Sequence, residues 1–193
     1  MDNTWIVKGL CLKGITRPTL GRSLACAWLL WLAVPAAVAQ SVEPQGETQL
    51  KAAFVYNFTK YVTWPPAVEQ TMGELVICAL GSGPVSAHLK TVGGRKVRDF
   101  NLRVVQLQSP SQADRCHLLY LSGVDPAPAL RRVAEQAVLT VSDTPDFIRR
   151  GGIIGLVEEQ GRIRFEVNLG AARASQLQIS SRLLQLAREV VGH

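Results

Sequence analysis

The pattern of apolar and polar positions is clearest between Gly151 and Arg188. Apolar residues dominate the segment 153–157, and a polar break ending in Gly161 follows it. Residues 162–168 (RIRFEVN) then alternate between polar and apolar, which is the period of a strand with one buried face. Glycine suits a turn position that needs a positive φ. The pattern therefore predicts a β-hairpin, followed by two helical segments.

Upstream of the hairpin, helical and strand patterns alternate. Leu50, Phe54, Phe58 and Tyr61 recur at spacings of three and four, which predicts a helix from Thr48 to the Trp64-Pro65-Pro66 stop. We interpret this aromatic stripe as core rather than as a ligand-stacking face. Strands are also predicted at 74–80, 95–108 (one strand, or two with a bend), 117–121 and 138–141, helices at 85–92 and 126–137, and helical turns at 109–115 and 146–150.

This alternation of strands and helices predicts the fold class. Strands separated by helices form a largely parallel sheet with right-handed crossovers. The final hairpin adds an antiparallel part. We therefore expect an α/β fold: a single three-layer domain with a mostly parallel sheet, a C-terminal β-hairpin and flanking helices.

The first 39 residues have the composition of a targeting segment. A basic leader precedes the apolar run 24–34, and Ala37-Val38-Ala39 has the A-x-A form of a cleavage site. We predict a signal peptide at 1–39 and a periplasmic domain at 40–193; the alternative is an uncleaved anchor. The leader holds four of the 21 basic and one of the 15 acidic residues, so the mature part carries +3 rather than +6. No nucleic-acid partner is expected from this charge.

Removal of the leader also lowers the number of cysteines from four to two, because only Cys78 and Cys116 follow it. An even pair in an exported chain favours a disulfide. Two buried free thiols are the alternative. A zinc site is a weaker one, since the chain lacks a nearby histidine pair to complete four ligands.

Small and hydroxyl residues follow three of the predicted strands, at Gly81-Ser82-Gly83, Ser122-Gly123 and Ser142-Asp143. Ligands of open α/β sheets bind outside the carboxyl ends of the strands. We therefore single out Ser82, Gly83, Ser122 and Asp143 as candidate residues for a small ligand. Ordinary strand-to-helix turns prefer the same residue types, and this interpretation stays open.

Nothing in the sequence identifies an enzyme. The histidines are His88, His117 and His193, and no G-x-S-x-G elbow, H-E-x-x-H motif or phosphate loop occurs. A triad of Ser82 or Ser122 with a histidine remains an alternative, because triads assemble in space. We expect no catalytic residue, no cofactor and no metal.

Two stretches resemble a known family: Lys51–Pro66 (KAAFVYNFTKYVTWPP) and Gly151–Glu189 (GGIIGLVEEQGRIRFEVNLGAARASQLQISSRLLQLARE). They are similar to the YfiR family of periplasmic regulators. The resemblance implies a non-enzymatic protein that binds the periplasmic sensor domain of an inner-membrane diguanylate cyclase. It implies repression of that enzyme, with less cyclic di-GMP and less biofilm. A ligand-binding sensory domain acting on another membrane partner, such as a sensor kinase, is the alternative.

The resemblance also bears on the cysteines and on assembly. Cys78 and Cys116 fall where the family has its structural disulfide. Some members have a second cysteine pair before the hairpin, and here other residues occupy those places, around Ile148 and Gly155. A homodimer is implied as well.

The hairpin is the predicted partner surface. We expect Ile153, Ile154 and Leu156 to be exposed and rimmed by charged residues, because one small core cannot cover both faces of the hairpin. Ile154 and Glu166 are the predicted contacts with the cyclase. The alternative is that the three apolar side chains belong to the core.

Overall fold

Residues 44–192, which the computed structural model describes, place helices on both faces of an eight-stranded sheet. The helices are α1 (Pro44–Tyr61), α2 (Pro66–Thr71), α3 (Pro84–Lys90), α4 (Ala127–Val133), α5 (Leu169–Ala174) and α6 (Ser181–Leu186), with a 3-10 helix at Pro110–Arg115. The strands are β1 (Val62–Thr63), β2 (Glu74–Leu80), β3 (Lys96–Val97), β4 (Phe100–Leu107), β5 (Leu118–Leu121), β6 (Leu139–Ser142), β7 (Ile154–Glu159), β8 (Arg162–Asn168), β9 (Gln178–Ile179) and β10 (Glu189–Val191).

The large sheet has the strand order β10-β8-β7-β6-β5-β2-β4-β3. Its neighbouring strands are parallel except in the pairs β7–β8 and β3–β4. The short strands β1 and β9 form a separate antiparallel pair. The predicted fold class, a mostly parallel α/β sheet with a C-terminal hairpin, is confirmed.

Two apolar layers lie on opposite faces of the sheet because side chains alternate along each strand. Leu75 and Ile77 of β2 belong to the layer that includes residues of α1 and α3. Val76 and Cys78 belong to the other layer, with residues of the 3-10 helix and α4. The central strands β2, β5 and β6 are therefore buried on both faces, which explains their continuous apolar sequences.

The predicted hairpin is present, with the two-residue loop Gln160-Gly161. Both loop residues have positive φ, 52° and 71°. A two-residue turn of this kind matches the right-handed twist of the two strands that it joins. Gly152, just before the hairpin, has a different role. A Cβ there would lie 2.2 Å from the Phe147 ring, so only glycine lets that ring pack against the chain.

The predicted exposure of the hairpin's apolar residues is wrong. Ile153, Ile154 and Leu156 retain 2%, 0% and 3% of their accessible surface and belong to the core layer beneath α1. The rings of Phe54 and Phe58 in α1 lie 6.0 and 5.2 Å from that of Phe165 in β8. Helix α1 therefore covers the apolar face of the hairpin, and the alternative assignment to the core is correct.

Glu166 lies on the opposite face of β8, but it too is largely buried, with 7% of its surface exposed. The guanidinium of Arg188 covers it, with its Nη2 atom 3.1 Å from the carboxylate. The expectation of a freely exposed Glu166 is corrected accordingly.

Element boundaries differ from the predictions where tertiary contacts decide them. Helix α1 begins at Pro44, four residues before the predicted start. The segment 95–108 forms two strands, β3 and β4, joined by a turn in which Arg98 has a φ of 52°. The short strands β9 and β10 were not predicted.

The predicted signal peptide at 1–39 lies outside the described residues, as does His193. Between residues 44 and 192, none of the helices has both the length and the apolar character needed to cross a membrane.

Candidate functional site

Cys78 and Cys116 form the predicted disulfide, with their Cα atoms 5.7 Å apart. Cys78 lies in the middle of β2, and Cys116 directly follows the 3-10 helix. The bridge therefore attaches that helix to the sheet. The two residues retain only 2% and 4% of their accessible surface, so the disulfide belongs to the apolar layer.

The carboxyl ends of β2 and β5 approach each other closely. A Cβ on Gly81, which has a φ of 94°, would lie 2.0 Å from the carbonyl oxygen of Ser122. A Cβ on Gly83 would lie 3.1 Å from the Ser122 hydroxyl oxygen. Glycine at position 81 is therefore required both for the backbone conformation and for the close approach. The predicted candidate residues of the two strand ends do lie side by side.

One cavity lies at the carboxyl ends of β2 and β4, beside α3, and has a volume of about 510 Å³. We call it the β2–β4 cavity. Ser82 and Gly83 line it, together with Ser86, Lys90 and Gln108. The Ser86 side chain is buried, and its hydroxyl has no hydrogen-bond partner among the described residues.

A second cavity, of about 460 Å³, lies at the carboxyl ends of β5 and β6, and we call it the β5–β6 cavity. Ser122 and Asp143 line it, and Val124 lines both cavities. Lys51 of α1 places its Nζ atom 3.5 Å from Asp143 and 2.7 Å from Glu47. Burial lowers the pKa of Lys51, but the two carboxylates more than offset this, so its pKa is raised and the ammonium stays charged.

Tyr120 of β5 is fully buried near Ser122 and Asp143. Its hydroxyl makes no hydrogen bond within the described part of the chain. Burial raises the pKa of Tyr120, the negative charge of Asp143 raises it further, and Ser122 opposes the shift. The phenol is therefore neutral, and the Asp143 carboxylate and the Ser122 side chain lie close to its hydroxyl.

The described histidines do not form a triad with Ser82 or Ser122. His88 Nδ1 lies 3.1 Å from the carbonyl oxygen of Pro84. His117 Nδ1 accepts a hydrogen bond from the backbone N–H of Val76, at 2.9 Å. Among the described residues, no hydrogen bond joins either histidine ring to Ser82 or Ser122.

The structure thus divides the four predicted ligand residues between two adjoining cavities. Ser82 and Gly83 line one, and Ser122 and Asp143 line the other. Sequence reasoning did not find four further polar residues near these cavities: Lys51, Ser86, Lys90 and Tyr120. Tyr120 left the clearest signal, as a lone hydroxyl within an otherwise apolar strand.

A family model described as DUF4154, YfiR/HmsC-like, matches residues 48–188, which is most of the chain. The chain belongs to the YfiR/HmsC-like family. Membership suggests a periplasmic regulator of a diguanylate cyclase rather than an enzyme. The resemblance seen in the sequence is therefore confirmed at the level of the family.

Other comparisons add little to the family assignment. None of the curated proteins matches the chain. Two solved structures are similar: an ABC domain from Streptococcus pneumonia in complex with L-Trp, at 11% identity and a TM-score of 0.45, and a conserved domain protein from Vibrio cholerae, at 10% and 0.49. Each match covers 75% of this chain and 60% of the other.

Ile148 and Gly155 mark the places where the resemblance leads us to expect a second cysteine pair in some members. A Cβ on Gly155 would lie 3.5 Å from the Cγ2 atom of Ile148, so the two positions are neighbours. Ile148 is buried. The buried Ile148 side chain therefore lies beside the start of β7 at this point.

His117 is expected to make the stability of this YfiR/HmsC-like protein depend on pH. Burial lowers the pKa of its imidazole below the ordinary value. Protonation would also replace the Nδ1 lone pair that accepts from Val76. Between this lowered pKa and about 6.5 the unfolded chain binds more protons, so stability falls as the pH falls, by at most about 1.4 kcal/mol per pH unit.

Urea unfolding at pH 5 to 8 measures this dependence. His117→Asn is the matched variant, because the Asn side-chain oxygen can replace Nδ1 as acceptor but does not titrate. The difference in unfolding free energy between wild type and variant should change across this window. A constant difference would contradict the prediction.

Proposed function

We propose that the protein is a periplasmic repressor that binds the periplasmic domain of an inner-membrane diguanylate cyclase. Repression would lower cyclic di-GMP and biofilm formation. The observation that carries the proposal is the YfiR/HmsC-like match through residues 48–188. The buried disulfide supports it, because disulfides persist in an oxidising compartment such as the periplasm.

The outer face of the hairpin is the partner surface that we propose. Since Ile153, Ile154 and Leu156 are buried, their role is to hold the hairpin against α1. Alternation along β8 directs Arg162 and Arg164 to the opposite face, where both are exposed.

This outer face has a small excess of positive charge. Arg188 is shared between Glu159 and Glu166, whereas Arg162 and Arg164 form no ion pair with any described residue. An acidic patch on the cyclase domain would pair with these two guanidinium groups, which supports steering and orientation of the complex. Glu166 contributes by holding Arg188 in place.

The proposal includes a homodimer, as the resemblance implies. Leu50 of α1 and Leu186 of α6 are 46% and 64% exposed, and the two helices lie against each other. These two side chains are where we expect the subunit contact to form. The mass of the protein in solution, measured by light scattering, tests this part.

Deletion of the gene from its source bacterium tests the repressor role. We expect cyclic di-GMP to rise and to return to its normal level when the gene is restored. Affinity purification from inner membranes should recover a protein with a cyclase output domain. Unchanged cyclic di-GMP after deletion would contradict repression.

Arg164→Glu tests the surface. We expect the variant to fold normally and to bind the recovered cyclase about tenfold more weakly, because a favourable charge contact becomes a repulsive one. Arg131→Glu is the control, since Arg131 is exposed on α4 and has no ion-pair partner in the described chain. Equal binding by both variants would exclude the hairpin face as the contact.

A second candidate function is a ligand-binding sensory domain that acts on another membrane partner, such as a sensor kinase. The two cavities at the strand ends, with the unpartnered hydroxyl of Ser86, favour it. The affinity purification above separates the candidates, because it would then recover a kinase instead of a cyclase.

A further inference from the structure

We propose that the β2–β4 cavity is a binding site for a small ligand that presents an oxyanion, as a carboxylate or phosphate group. Three observations lead to this assignment: the charge of the lining, a buried hydroxyl without a partner, and the size of the cavity. The inference does not depend on the proposed repression of a cyclase.

The charge of the lining selects an anion. Lys90 at the end of α3 is the one charged side chain among the described residues that line the cavity, and no carboxylate lines it. Lys90 also has no ion-pair partner within the described chain. Its ammonium group is therefore available to a ligand, whereas Lys51 near the β5–β6 cavity is already paired with two carboxylates.

The Ser86 hydroxyl supplies the second observation. It is buried and makes no hydrogen bond, although buried polar groups almost always have a partner. Ser86 lies one helical turn before Lys90 on α3, so the two residues share a face of the helix. Both line the cavity. The Ser86 oxygen has almost no accessible surface in the ligand-free structure, so its side chain must turn toward the cavity to donate to an oxyanion that Lys90 holds.

The cavity has the size and location of a ligand site. Its volume of about 510 Å³ lies within the range of small-molecule pockets, and it lies at the carboxyl ends of parallel strands. One wall is fixed by Gln106, whose side-chain amide donates to the carbonyl oxygens of Ala79 and Gly81. The loop that carries Ser82 is thereby held in place before a ligand arrives.

Titration of the isotopically labelled protein with two probes, inorganic phosphate and succinate, tests the site. Sodium chloride at matched ionic strength controls for general salt effects. We expect one probe to shift the amide resonances of Ser82, Gly83, Ser86 and Lys90 in a saturable way. The probe that does so identifies the oxyanion as a phosphate or a carboxylate.

Ser86→Ala and Lys90→Gln should each weaken this binding by about tenfold, because each removes a donor to a charged group. Ser86→Ala should not lower the thermal stability of the ligand-free protein, since its hydroxyl has no partner to lose. Lys96→Gln is the control, because Lys96 is an exposed lysine on β3 without an ion pair.

Three results would overturn the proposal. They are the absence of saturable shifts with either probe, shifts that map elsewhere on the domain, and equal binding by Ser86→Ala, Lys90→Gln and Lys96→Gln. None of these results depends on a cyclase partner, so the site and the repressor function fail independently.

Discussion

Replacing Ile154 with aspartate is expected to remove a large part of the domain's stability. Ile154 is fully buried at the start of β7, between β6 and β8. The substitution removes apolar volume from the core and leaves a carboxyl group there without a partner. Together these losses exceed about 4 kcal/mol, while a domain of this size is stable by only about 5–15 kcal/mol.

Val157→Asp provides a matched comparison on the same strand. Val157 pairs with Arg164, is only half-buried, and belongs to the opposite face of the hairpin. A carboxylate at this position stays in contact with water and faces a guanidinium group. We expect Val157→Asp to be folded and less stable than wild type by about 1 kcal/mol.

Circular dichroism and urea unfolding of the three proteins measure the difference. A cooperative Ile154→Asp protein with wild-type stability would contradict the buried position of Ile154. The comparison also affects how binding experiments are interpreted. Loss of partner binding by Ile154→Asp would report loss of the fold, so Arg164→Glu is the informative change at the hairpin.

The hairpin shows which part of the fold could be predicted from sequence. The alternation in β8 and the loop Gln160-Gly161 are local signals, and both predictions are confirmed. Which structure covers the apolar face is not a local property. Phe54 and Phe58 contact Phe165 from more than one hundred positions away in the chain, and no period within the hairpin encodes that contact.

Strands β9 and β10 could not be predicted for a related reason. They have two and three residues, too few for a period to emerge. Strand β10 pairs in parallel with β8, with α5 and α6 between them in sequence. Strand β10 forms because the preceding crossover brings these residues to the edge of the sheet. That crossover cannot be recognised from the identity of three residues.

At the candidate cavities, too, some residues could be predicted from the sequence and others could not. Ser82, Gly83, Ser122 and Asp143 were found because a general rule places ligands at the ends of parallel strands, and these residues follow strands directly. Ser86 and Lys90 lie on a helix surface, where a serine and a lysine are ordinary residues. They can be singled out only in the folded structure, where both line one cavity and neither has a partner among the described residues.

Removing the disulfide is the second change with a large expected effect. Cys78 and Cys116 are separated by 38 positions, and the bridge restricts that loop in the unfolded chain. Replacing both with alanine should lower the unfolding free energy by about 4 kcal/mol, the loop-closure term for this length. Urea unfolding of the variant and the wild type, at the same protein concentration, measures this loss of unfolding free energy.

The burial of the disulfide predicts how reductants act on the native protein. Cys78 and Cys116 are almost inaccessible, so a reductant can reach the disulfide only after the 3-10 helix moves away from the sheet. Wild type in excess dithiothreitol should therefore become as unstable as the double variant, but at a rate that saturates with reductant concentration. A reduction rate that stays proportional to the dithiothreitol concentration would show that the disulfide is accessible to the reductant in the folded state. Since Cys78 and Cys116 are the cysteines of residues 44–192, we expect redox control of the described domain to act through that opening.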